Sequence, residues 1–496
     1  MNLADLIDRN AAFTPDKAAL RFEGETLSYA ELSERITCAA RALRSRLGVG
    51  RGDRVAILAL NHPDYLVLLY ACARLGAMLL PLNWRLAVPE QVFILSDASA
   101  KVLVVEQAFD AVVPALKRAL PDIHVVALAA FDELIAAGAG NDRNPHVDEK
   151  SPLLLVYTSG TTGRPKGAVL RQEALLWNGI MSQHMHDMTA EDHILTVLPF
   201  FHVGGLNIQT TPALHIGATV TIHPRFTPDL TLAAIARDKP TLTVLVPATI
   251  QALLAQPAWT TTELTSLRAL TTGSTQVPVP LIEAVEARGV PVLQVYGSTE
   301  TCPIAVYTRV GGDLSRKLST GLPGLVCEAR IVDDDGRETP PGVPAEVLVR
   351  GPNVFFEYWG NAAATAEALR DGWYYSGDIG TRDKDGYFYI YDRKKNMIIS
   401  GGENIYPAEV ERVLNAHPDV AEAAVIGRPD PKWQEVPVAY VVRRAGASCE
   451  AAAIIAHVGR ELARFKVPRE IVFVEALPRN ALGKVQHFVL REQAAR

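Results

Sequence analysis

One segment of eleven residues, 157–167, constrains the fold more than any other part of the chain. It reads YTSGTTGRPKG and combines hydroxyl side chains, glycines and two cations. Short apolar runs flank it at residues 153–156 and 168–170, and such runs predict buried β-strands. The sequence therefore predicts two adjacent strands joined by a polar, glycine-rich loop.

The composition of this loop indicates a binding site for an anion. Glycines let backbone N–H groups approach phosphate oxygens, hydroxyls donate hydrogen bonds to them, and a lysine neutralises charge. A Walker A loop needs glycine directly before its lysine and serine or threonine directly after it. Here Pro165 precedes Lys166 and Gly167 follows it, so a P-loop is excluded. A polar hairpin without a ligand is the simpler alternative.

The composition is that of a globular protein. With 496 residues, 48% of them hydrophobic, the chain predicts about three domains with large cores. A net charge of −6 without a long basic run argues against a nucleic-acid partner. Five cysteines that are never closely spaced favour a reducing cytoplasm over a disulfide framework or a zinc site. Neither an export signal nor an apolar stretch approaching the ~18 residues of a membrane span is visible.

Strand and helix patterns alternate along the chain, which predicts a layered α/β fold. Ser28 and Glu31 form a capping box for a helix through residue 44. Further strands are expected at residues 55–58, 102–105, 195–198, 242–246, 267–271 and 292–296. Ligands in open α/β sheets bind beyond the carboxyl ends of strands, so we expect the turns after the last three strands to share one crevice.

The last third of the chain changes texture. Residues 320–391 contain short strands and tight turns that predict a small β subdomain. The charged turn at residues 392–396 is the shortest credible domain linker. We therefore expect an N-terminal domain of residues 1–393, a hinge at residues 394–396 and a small α+β C-terminal domain of residues 397–496.

The loop at residues 157–167 and the segment YGSTE at residues 296–300 resemble signatures of the adenylate-forming superfamily, and the resemblance spans nearly the whole chain. This superfamily contains acyl-CoA synthetases, aryl-CoA ligases, peptide-synthetase adenylation domains and luciferases. The resemblance implies an acid–thiol ligase that forms an acyl-AMP from a carboxylic acid and ATP and then transfers the acyl group to coenzyme A. It also implies Mg²⁺ as a cofactor and a C-terminal lid that rotates between the two half-reactions.

The resemblance assigns roles to individual residues. Lys484, His202, Thr158 and Glu300 are the expected catalytic residues, Glu300 and Thr161 are expected to bind Mg²⁺, and Lys395 matches the hinge position. The residues expected to bind the nucleotide or coenzyme A are Thr158, Ser159, Gly160, Thr161, Thr162, Gly163, Lys166, Gly273, Ser274, Tyr296, Gly297, Thr299, Asp378, Arg393, Gly401, Gly402 and Glu403.

The chemistry of these residue types agrees with the assigned roles. Mg²⁺ prefers one or two carboxylates together with phosphate oxygens, and the carboxylate of Asp378 can accept both hydroxyls of a ribose. Taken alone, each residue also has a simpler interpretation. His202 would be a packing histidine, Asp378 a turn cap and Lys484 a solvated surface lysine.

The pocket for the acid is expected near His202 and the turns after the central strands. Its expected residues are His202, Gly204, Leu206, Asn207, Val246, Ala248, Cys302, Pro303 and Ile304. These segments are mostly apolar and contain no Arg or Lys, which disfavours a dicarboxylate. An aromatic, hydroxycinnamate-like acid and a medium- or long-chain fatty acid both stay open. The sequence most resembles bacterial feruloyl- and 4-coumaroyl-CoA ligases.

Three other functions compete with a CoA ligase. An adenylating protein could load a carrier-protein thiol, but the chain contains no obvious carrier domain and keeps the SGGEN segment at residues 400–404, which in CoA ligases lines the pantetheine tunnel. A nucleotide sensor would release no pyrophosphate, and a luciferase-type oxygenase would consume oxygen. The oligomeric state stays open, with a homodimer as one alternative.

Overall fold

The fold is that of a computed structural model, which describes residues 1–158, 165–274, 277–400, 403–431, 433–479 and 484–494, without the side chains of Lys395, Glu403 and Asn404. The chain divides into two compact units. The large unit comprises residues 1–329 and 349–375, and the small unit comprises residues 330–348 and 376–496.

The first part of the chain alternates strands and helices, as predicted. The strands are β1 (Ala18–Phe22), β2 (Glu25–Ser28), β3 (Arg54–Leu58), β4 (Met78–Pro81), β5 (Val102–Val105), β6 (His124–Ala127), β7 (Pro152–Thr158), β8 (Lys166–Arg171), β9 (His193–Thr196), β10 (Thr219–Ile222), β11 (Leu242–Val244), β12 (Ala269–Gly273), β13 (Val292–Tyr296), β14 (Val306–Tyr307) and β15 (Leu322–Pro323). The helices are α1 (Ala4–Phe13), α2 (Tyr29–Leu47), α3 (Pro63–Leu75), α4 (Val88–Asp97), α5 (Val113–Ala119), α6 (Phe131–Ala136), α7 (Gln172–His186), α8 (Val203–Gly205), α9 (Thr211–Ile216), α10 (Pro228–Asp238), α11 (Pro247–Leu254), α12 (Val279–Glu286) and α13 (Ala362–Ala368).

The remaining strands follow in short succession. They are β16 (Glu328–Val332), β17 (Ala345–Arg350), β18 (Glu357–Tyr358), β19 (Leu369–Arg370), β20 (Trp373–Arg382), β21 (Phe388–Arg393), β22 (Ile398–Ser400), β23 (Glu403–Ile405), β24 (Val420–Asp430), β25 (Gln434–Arg443) and β26 (Glu470–Phe473). The helices of this region are α14 (Pro407–Asn415), α15 (Ala451–Glu461) and α16 (His487–Ala494).

The large unit contains two sheets with helices between and around their strands. One sheet has nine strands in the order β15-β14-β13-β12-β11-β9-β10-β1-β2, and the other has seven in the order β18-β8-β7-β4-β3-β5-β6. Helix α3 is buried along its whole length, which explains why its sequence is apolar on every side. The predicted capping box is present, because the Ser28 hydroxyl accepts from the Glu31 N–H and the Glu31 carboxylate accepts from the Ser28 N–H. The predicted α/β fold is thereby confirmed.

The predicted hairpin is also present. Strands β7 and β8 are antiparallel, and their register pairs Thr158 with Lys166. The tip of the hairpin, residues 159–164, lies outside the described residues. The prediction of two strands on either side of the glycine-rich loop is therefore confirmed, whereas the conformation of the loop itself is not described.

The predicted β region forms a third sheet, and the small unit adds a fourth. The third sheet has the order β16-β17-β20-β19 with β21 beside β20, and the fourth has the order β23-β22-β25-β24 with β26 beside β25. Buried side chains of α14, α15, β24 and β25 form the core of the small unit. Strands β16, β17 and β20 contain residues of both units, so the hinge at residues 394–396 stays a prediction. Within the described chain no helix combines the length and apolarity needed to cross a membrane.

Candidate active site

The predicted acid residues of the large unit, and the predicted nucleotide residues outside the β7–β8 hairpin, follow four strands that lie side by side. Strands β9, β11, β12 and β13 are neighbours in the nine-stranded sheet, and each pair is parallel. Their carboxyl ends therefore share one edge of the sheet, where ligands bind in open α/β folds. His202, Val246, Ser274 and Thr299 all follow these ends within the next few residues.

Two glycines of this edge are required by close packing. A Cβ on Gly273 would lie 2.3 Å from the carbonyl oxygen of Val295 on the neighbouring strand. A Cβ on Gly297 would lie 1.8 Å from the carbonyl oxygen of Pro303. Both contacts are impossible for a real side chain, so glycine is the residue that lets the two turns approach each other. Ser274 follows in the left-handed region with φ +76° and is exposed.

Glu300 is the buried carboxylate of this edge. It lies in a 3-10 turn, Thr299–Thr301, with only 7% of its surface exposed. The hydroxyl of Tyr358 donates a hydrogen bond of 2.7 Å to its Oε1 atom. Its carbonyl oxygen accepts a hydrogen bond of 2.7 Å from the Phe355 N–H. The predicted metal ligand is thus fixed from both its side chain and its backbone.

These contacts come from a short segment, residues 353–359, that sequence reasoning did not identify. Asn353 is fully buried, and its Nδ2 donates to the carbonyl oxygens of Thr301 and Ile304 at 2.9 and 2.8 Å. Strand β18 within the segment pairs with β8 of the predicted anion hairpin. The 353–359 segment therefore connects the Glu300 turn to the strand that begins at Lys166. Its cluster of aromatic residues, FFEYW, was the signal that could have drawn attention to it.

The β7–β8 hairpin places one predicted cation, Lys166, near the 353–359 segment. Lys166 is half-buried, and its Nζ atom lies 5.3 Å from the centroid of the Tyr358 ring, within the range of a cation–π contact. The Thr158 hydroxyl lies 3.5 Å from the Lys166 carbonyl oxygen. Five predicted phosphate-binding residues lie outside the described residues, namely Ser159, Gly160, Thr161, Thr162 and Gly163.

His202 lies in a turn that other buried groups hold in place. It caps helix α8, where its Nδ1 accepts from the Gly204 N–H at 3.1 Å. The side chain of Asn61 is fully engaged there, donating to the Leu198 carbonyl oxygen at 2.9 Å and accepting from the Phe200 N–H at 2.8 Å. His202 itself is half-buried, so its ring is anchored at one nitrogen while part of its surface stays accessible.

Arg85 brings a cation to this turn that the sequence did not predict. Its guanidinium lies 4.8 Å from the ring centroid of Trp84 and 5.7 Å from that of Phe201, next to His202. Partial burial lowers the pKa of Arg85. Arg85 is more than 100 positions from Phe201 and His202 in the sequence. The absence of Arg and Lys from the predicted pocket segments therefore does not make the surroundings of His202 free of cations.

The predicted acid-pocket residues fall into two groups. Gly204, Val246 and Ala248 are at least partly exposed, whereas Leu206, Asn207, Cys302, Pro303 and Ile304 are buried. The Asn207 amide donates to the Cys302 sulfur at 3.6 Å. Asn178 ties the two segments together, because it donates to the Asn207 carbonyl oxygen and accepts from the Ile304 N–H. Residues Leu206–Thr210 form a π-helical turn, a geometry that is frequent at functional sites.

The small unit holds the predicted ribose acceptor. Asp378 lies on β20 and is only 6% exposed, and the register of β20 and β21 pairs it with Arg393. The Arg393 Nε lies 2.7 Å from Asp378 Oδ1. The Ser376 hydroxyl accepts from the Asp378 N–H at 3.0 Å. The two predicted nucleotide residues of this unit are thus an ion pair across two strands.

The predicted hinge adjoins several ionised side chains of the small unit. Lys394 forms ion pairs with Asp334 at 2.7 Å and Glu346 at 3.2 Å. Burial and the charge of Glu411 raise the pKa of Asp392, whose carboxylate accepts from the Ala408 N–H. The side chains of Lys395 and Glu403 and the residues Gly401 and Gly402 lie outside the described residues.

Lys484 is exposed and follows residues 480–483, which are outside the described residues. The next residue, Val485, forms an isolated antiparallel bridge with Arg479. His487 begins α16 and its Nε2 lies 2.9 Å from Glu411 Oε1. Burial opposes protonation of His487, but the hydrogen bond and charge of Glu411 outweigh it and raise the pKa. The segment that carries Lys484 is therefore attached to the core of the small unit on its C-terminal side.

The family models decide the identity. A model described as AMP-binding enzyme matches residues 7–359, and one described as AMP-binding enzyme C-terminal domain matches residues 409–484. The chain belongs to the AMP-binding enzyme family. Together the two matched segments cover most of the chain and include Glu300 and Lys484.

Several named proteins match the chain over nearly its whole length. The indoleacetate–CoA ligase of Aromatoleum aromaticum is 49% identical over 100% of this chain and 99% of its own. The feruloyl-CoA synthase of an Amycolatopsis species is 42% identical over 96% of each chain. The solved structure of O-succinylbenzoate coenzyme A synthetase from Bacillus subtilis, in complex with ATP and magnesium, is 32% identical, has a TM-score of 0.87 and covers 99% of each chain.

Membership in the AMP-binding enzyme family confirms the predicted enzyme class and its cofactors. The protein is an acid–thiol ligase of the acyl- or aryl-CoA type that uses ATP, Mg²⁺ and coenzyme A. Among the described residues no three His, Cys, Asp or Glu side chains are grouped as a metal cluster. The buried carboxylate of Glu300 fits Mg²⁺ because this ion is held by one or two carboxylates and by the phosphates of its nucleotide.

Proposed function

We propose that this AMP-forming ligase activates an aromatic monocarboxylic acid. The observation that carries the proposal is the 49% identity, over the entire chain, to an indoleacetate–CoA ligase, joined by 42% identity to a feruloyl-CoA synthase. The acids of both relatives carry a planar ring. A medium- or long-chain fatty acid is the alternative that this proposal ranks second.

The partly exposed residues of the predicted acid pocket support a ring. Gly204 has no side chain and Ala248 a small one, and Val246 adds an apolar wall. We expect the turns that carry these three residues to share the acid pocket, where the two small residues leave room for a planar ring. Discrimination by such a pocket is modest, about 10–200-fold per misplaced methylene. We therefore expect a preference among acids rather than an absolute choice.

The proposed chemistry assigns a task to each group of the large unit. The substrate carboxylate must attack the α-phosphorus of ATP while pyrophosphate leaves, so two anions have to be held together. Lys166 supplies a cation and Glu300 a metal ligand for this task. When bound, Mg²⁺ neutralises charge on the phosphate oxygens. His202, anchored through Nδ1, orients the acid.

The small unit supplies the remaining groups in this proposal. Asp378 accepts the ribose hydroxyls, Arg393 keeps that carboxylate oriented, and Lys484 screens the charge of the carboxylate and α-phosphate during adenylation. Transfer to coenzyme A needs Lys484 elsewhere, and we propose that rotation about residues 394–396, with Lys395 as the hinge, provides this exchange.

A pyrophosphate-release assay with and without coenzyme A tests the proposal. The acids compared are indole-3-acetate, phenylacetate, ferulate, benzoate, 2-succinylbenzoate, octanoate and palmitate. We expect the best aromatic monocarboxylate to have a kcat/KM at least about 10-fold above that of octanoate. A higher kcat/KM for octanoate or palmitate would overturn the aromatic assignment but not the ligase class.

The dicarboxylate in this assay, 2-succinylbenzoate, tests whether Arg85 contributes to the acid pocket. If Arg85 pairs a second carboxylate, 2-succinylbenzoate will rank with the best acids, and Arg85→Met will lower its kcat/KM about 10-fold while leaving phenylacetate unchanged. If the pocket is apolar, 2-succinylbenzoate will be poor in both proteins. A phosphopantetheinylated carrier protein replaces coenzyme A in a parallel reaction, and faster transfer to the carrier would contradict the CoA-ligase assignment.

A further inference from the structure

The side chain of Tyr358 contacts two residues of the large unit with predicted roles at the nucleotide, the metal ligand Glu300 and the phosphate-binding Lys166. Its hydroxyl donates to Glu300 Oε1 at 2.7 Å, and its ring faces the Lys166 ammonium at 5.3 Å. Only 9% of Tyr358 is exposed. The residues that it joins are 192 and 58 positions away in the sequence, so the contact exists only in the folded chain.

Tyr358 is itself held rigidly. It pairs with Ala168 across β18 and β8, and its N–H donates to the Thr365 hydroxyl at 3.0 Å. Its ring lies 4.7 Å from that of Phe355, whose N–H in turn donates to the Glu300 carbonyl oxygen. A side chain fixed at its backbone and at its ring can hold a flexible carboxylate in one rotamer, which lowers the entropy lost when a ligand binds.

The chemistry of the partner matters as much as its position. A hydroxyl is a neutral donor, so Tyr358 brings no positive charge to the Glu300 carboxylate, whereas an arginine at this position would. The Tyr358 hydroxyl donates its hydrogen bond to Oε1 of Glu300, which leaves Oε2 to coordinate a cation. Groups that hold a metal-binding carboxylate from behind typically change metal affinity about 10–100-fold when they are removed.

We propose that Tyr358 is a positioning residue for the nucleotide, with its hydroxyl orienting the Glu300 carboxylate toward Mg²⁺ and its ring holding the Lys166 ammonium in place. The proposal rests on the proposed roles of Glu300 and Lys166. The two parts of the Tyr358 side chain have separate roles in this proposal. The hydroxyl acts on the metal site through Glu300, and the ring acts on the phosphate site through Lys166.

Tyr358→Phe removes the hydroxyl and retains the ring. We expect the Kd of Mg²⁺–ATP, measured by titration calorimetry without acid, and the Mg²⁺ concentration for half-maximal pyrophosphate release each to rise about 10-fold. Thioester formation from supplied acyl-AMP should stay within about 2-fold of the parent protein. Tyr358→Leu removes the ring as well and should add a rise in the KM for ATP measured at saturating Mg²⁺. Tyr70→Phe is the matched control, since the buried Tyr70 hydroxyl has no hydrogen-bond partner within the described residues.

A double-mutant cycle with Glu300→Gln distinguishes positioning from general destabilisation. If Tyr358 acts through Glu300, adding Tyr358→Phe to Glu300→Gln should change the Mg²⁺ dependence no further. An unchanged Mg²⁺ requirement in Tyr358→Phe, or effects that multiply in the double variant, would overturn the proposal. The same holds if thioester formation falls as much as adenylation, because that result indicates a folding defect. Failure of the parent protein to release pyrophosphate with any acid would instead overturn the proposed function.

Discussion

Two buried carboxylates, the predicted Mg²⁺ ligand Glu300 and the predicted ribose acceptor Asp378, differ in their partners. Glu300 of the large unit and Asp378 of the small unit are 7% and 6% exposed. Glu300 accepts from the neutral hydroxyl of Tyr358, and Asp378 pairs with the guanidinium of Arg393, both at 2.7 Å. Burial is therefore the same at the two positions, and the charge of the partner differs.

This difference matches two kinds of ligand. A buried carboxylate with a neutral partner receives no compensating positive charge from that partner, which favours a cation as its ligand. A buried carboxylate paired with a guanidinium is already compensated in charge, which suits a neutral ligand such as a ribose hydroxyl better than a cation. The partners also differ in exposure, because the Arg393 side chain is 44% exposed. This comparison agrees with the roles proposed above, in which Glu300 serves the metal and Asp378 the ribose.

The largest effect is expected from substitution of Lys484, an exposed lysine of the small unit. Lys484→Ala should slow adenylation by about 10²–10³, comparable to losing one donor of an oxyanion hole. Thioester formation from supplied acyl-AMP should continue, because Lys484 is proposed to serve the first half-reaction only. Pyrophosphate release and thioester formation are measured separately.

An equivalent lysine controls for this substitution. Lys384 is exposed in a turn of the small unit, and Lys384→Ala should leave both half-reactions unchanged. Equal losses in the two half-reactions of Lys484→Ala would show that the small unit does not divide its contacts between them. The different partners of Glu300 and Asp378 would then not correspond to different tasks of the two units in catalysis.

Glu300→Gln tests the large-unit side of the comparison. The amide oxygen can still accept from Tyr358, so the local packing is retained while the charge is lost. We expect adenylation at saturating ATP to fall about 10²-fold, the lower end of the range for one lost electrostatic contact. Raised Mg²⁺ should restore part of the rate. A normal rate at ordinary Mg²⁺ would mean that Glu300 is not a metal ligand. The hydrogen bond from Tyr358 would then serve another purpose than metal binding.

The sequence predicted the local parts of this site and missed the long-range ones. The hairpin around Lys166 and the turn at Glu300 follow from apolar runs and turn residues that are contiguous in the chain. Tyr358 joins them through pairing of β18 with β8, which spans nearly 190 residues. No local periodicity encodes such a pairing, because a two-residue strand carries too short a pattern. Arg85 was missed for the same reason, since its contact with Phe201 is tertiary.

Asp378→Asn should have a smaller effect than Glu300→Gln. The amide keeps one acceptor for the ribose and loses the ion pair, and the half-exposed Arg393 can turn to solvent. We expect the KM for ATP to rise about 10-fold, equivalent to about 1.4 kcal/mol, with little change in kcat. The Mg²⁺ dependence should stay that of the parent protein.

The Asp378 variant breaks the comparison if its Mg²⁺ requirement changes. In that case both carboxylates would serve the metal, and the charge of the partner would not distinguish them. Arg393→Met in the same assay shows how much of the effect comes from losing the ion pair. Because Asp378 and Arg393 are in contact, we expect the double variant to be less impaired than the product of the single effects.

The smallest effect concerns pH and the attachment of the Lys484 segment. The pKa of His487 is raised above its ordinary 6.5, because the hydrogen bond and charge of Glu411 outweigh the opposing effect of burial. Asp392 raises this pKa further and Arg491 lowers it. A raised pKa in the folded state means that the stability from this pair is fully present below pH 6.5 and is lost as the pH rises through the raised value.

His487→Gln should therefore lower the Tm of the protein at pH 6 and have a smaller effect at pH 9. We expect a loss on the order of 1 kcal/mol at pH 6, as for a partly exposed ion pair. Glu411→Gln should show the same pH dependence, since it removes the other partner. Lys484 lies three residues from His487, so a weaker attachment should also slow adenylation slightly at pH 6 without affecting thioester formation. An equal loss of Tm at both pH values would assign the His487–Glu411 pair a packing role. The Lys484 segment would then be attached without a contribution from charge, as the Glu300 side chain is by the neutral hydroxyl of Tyr358.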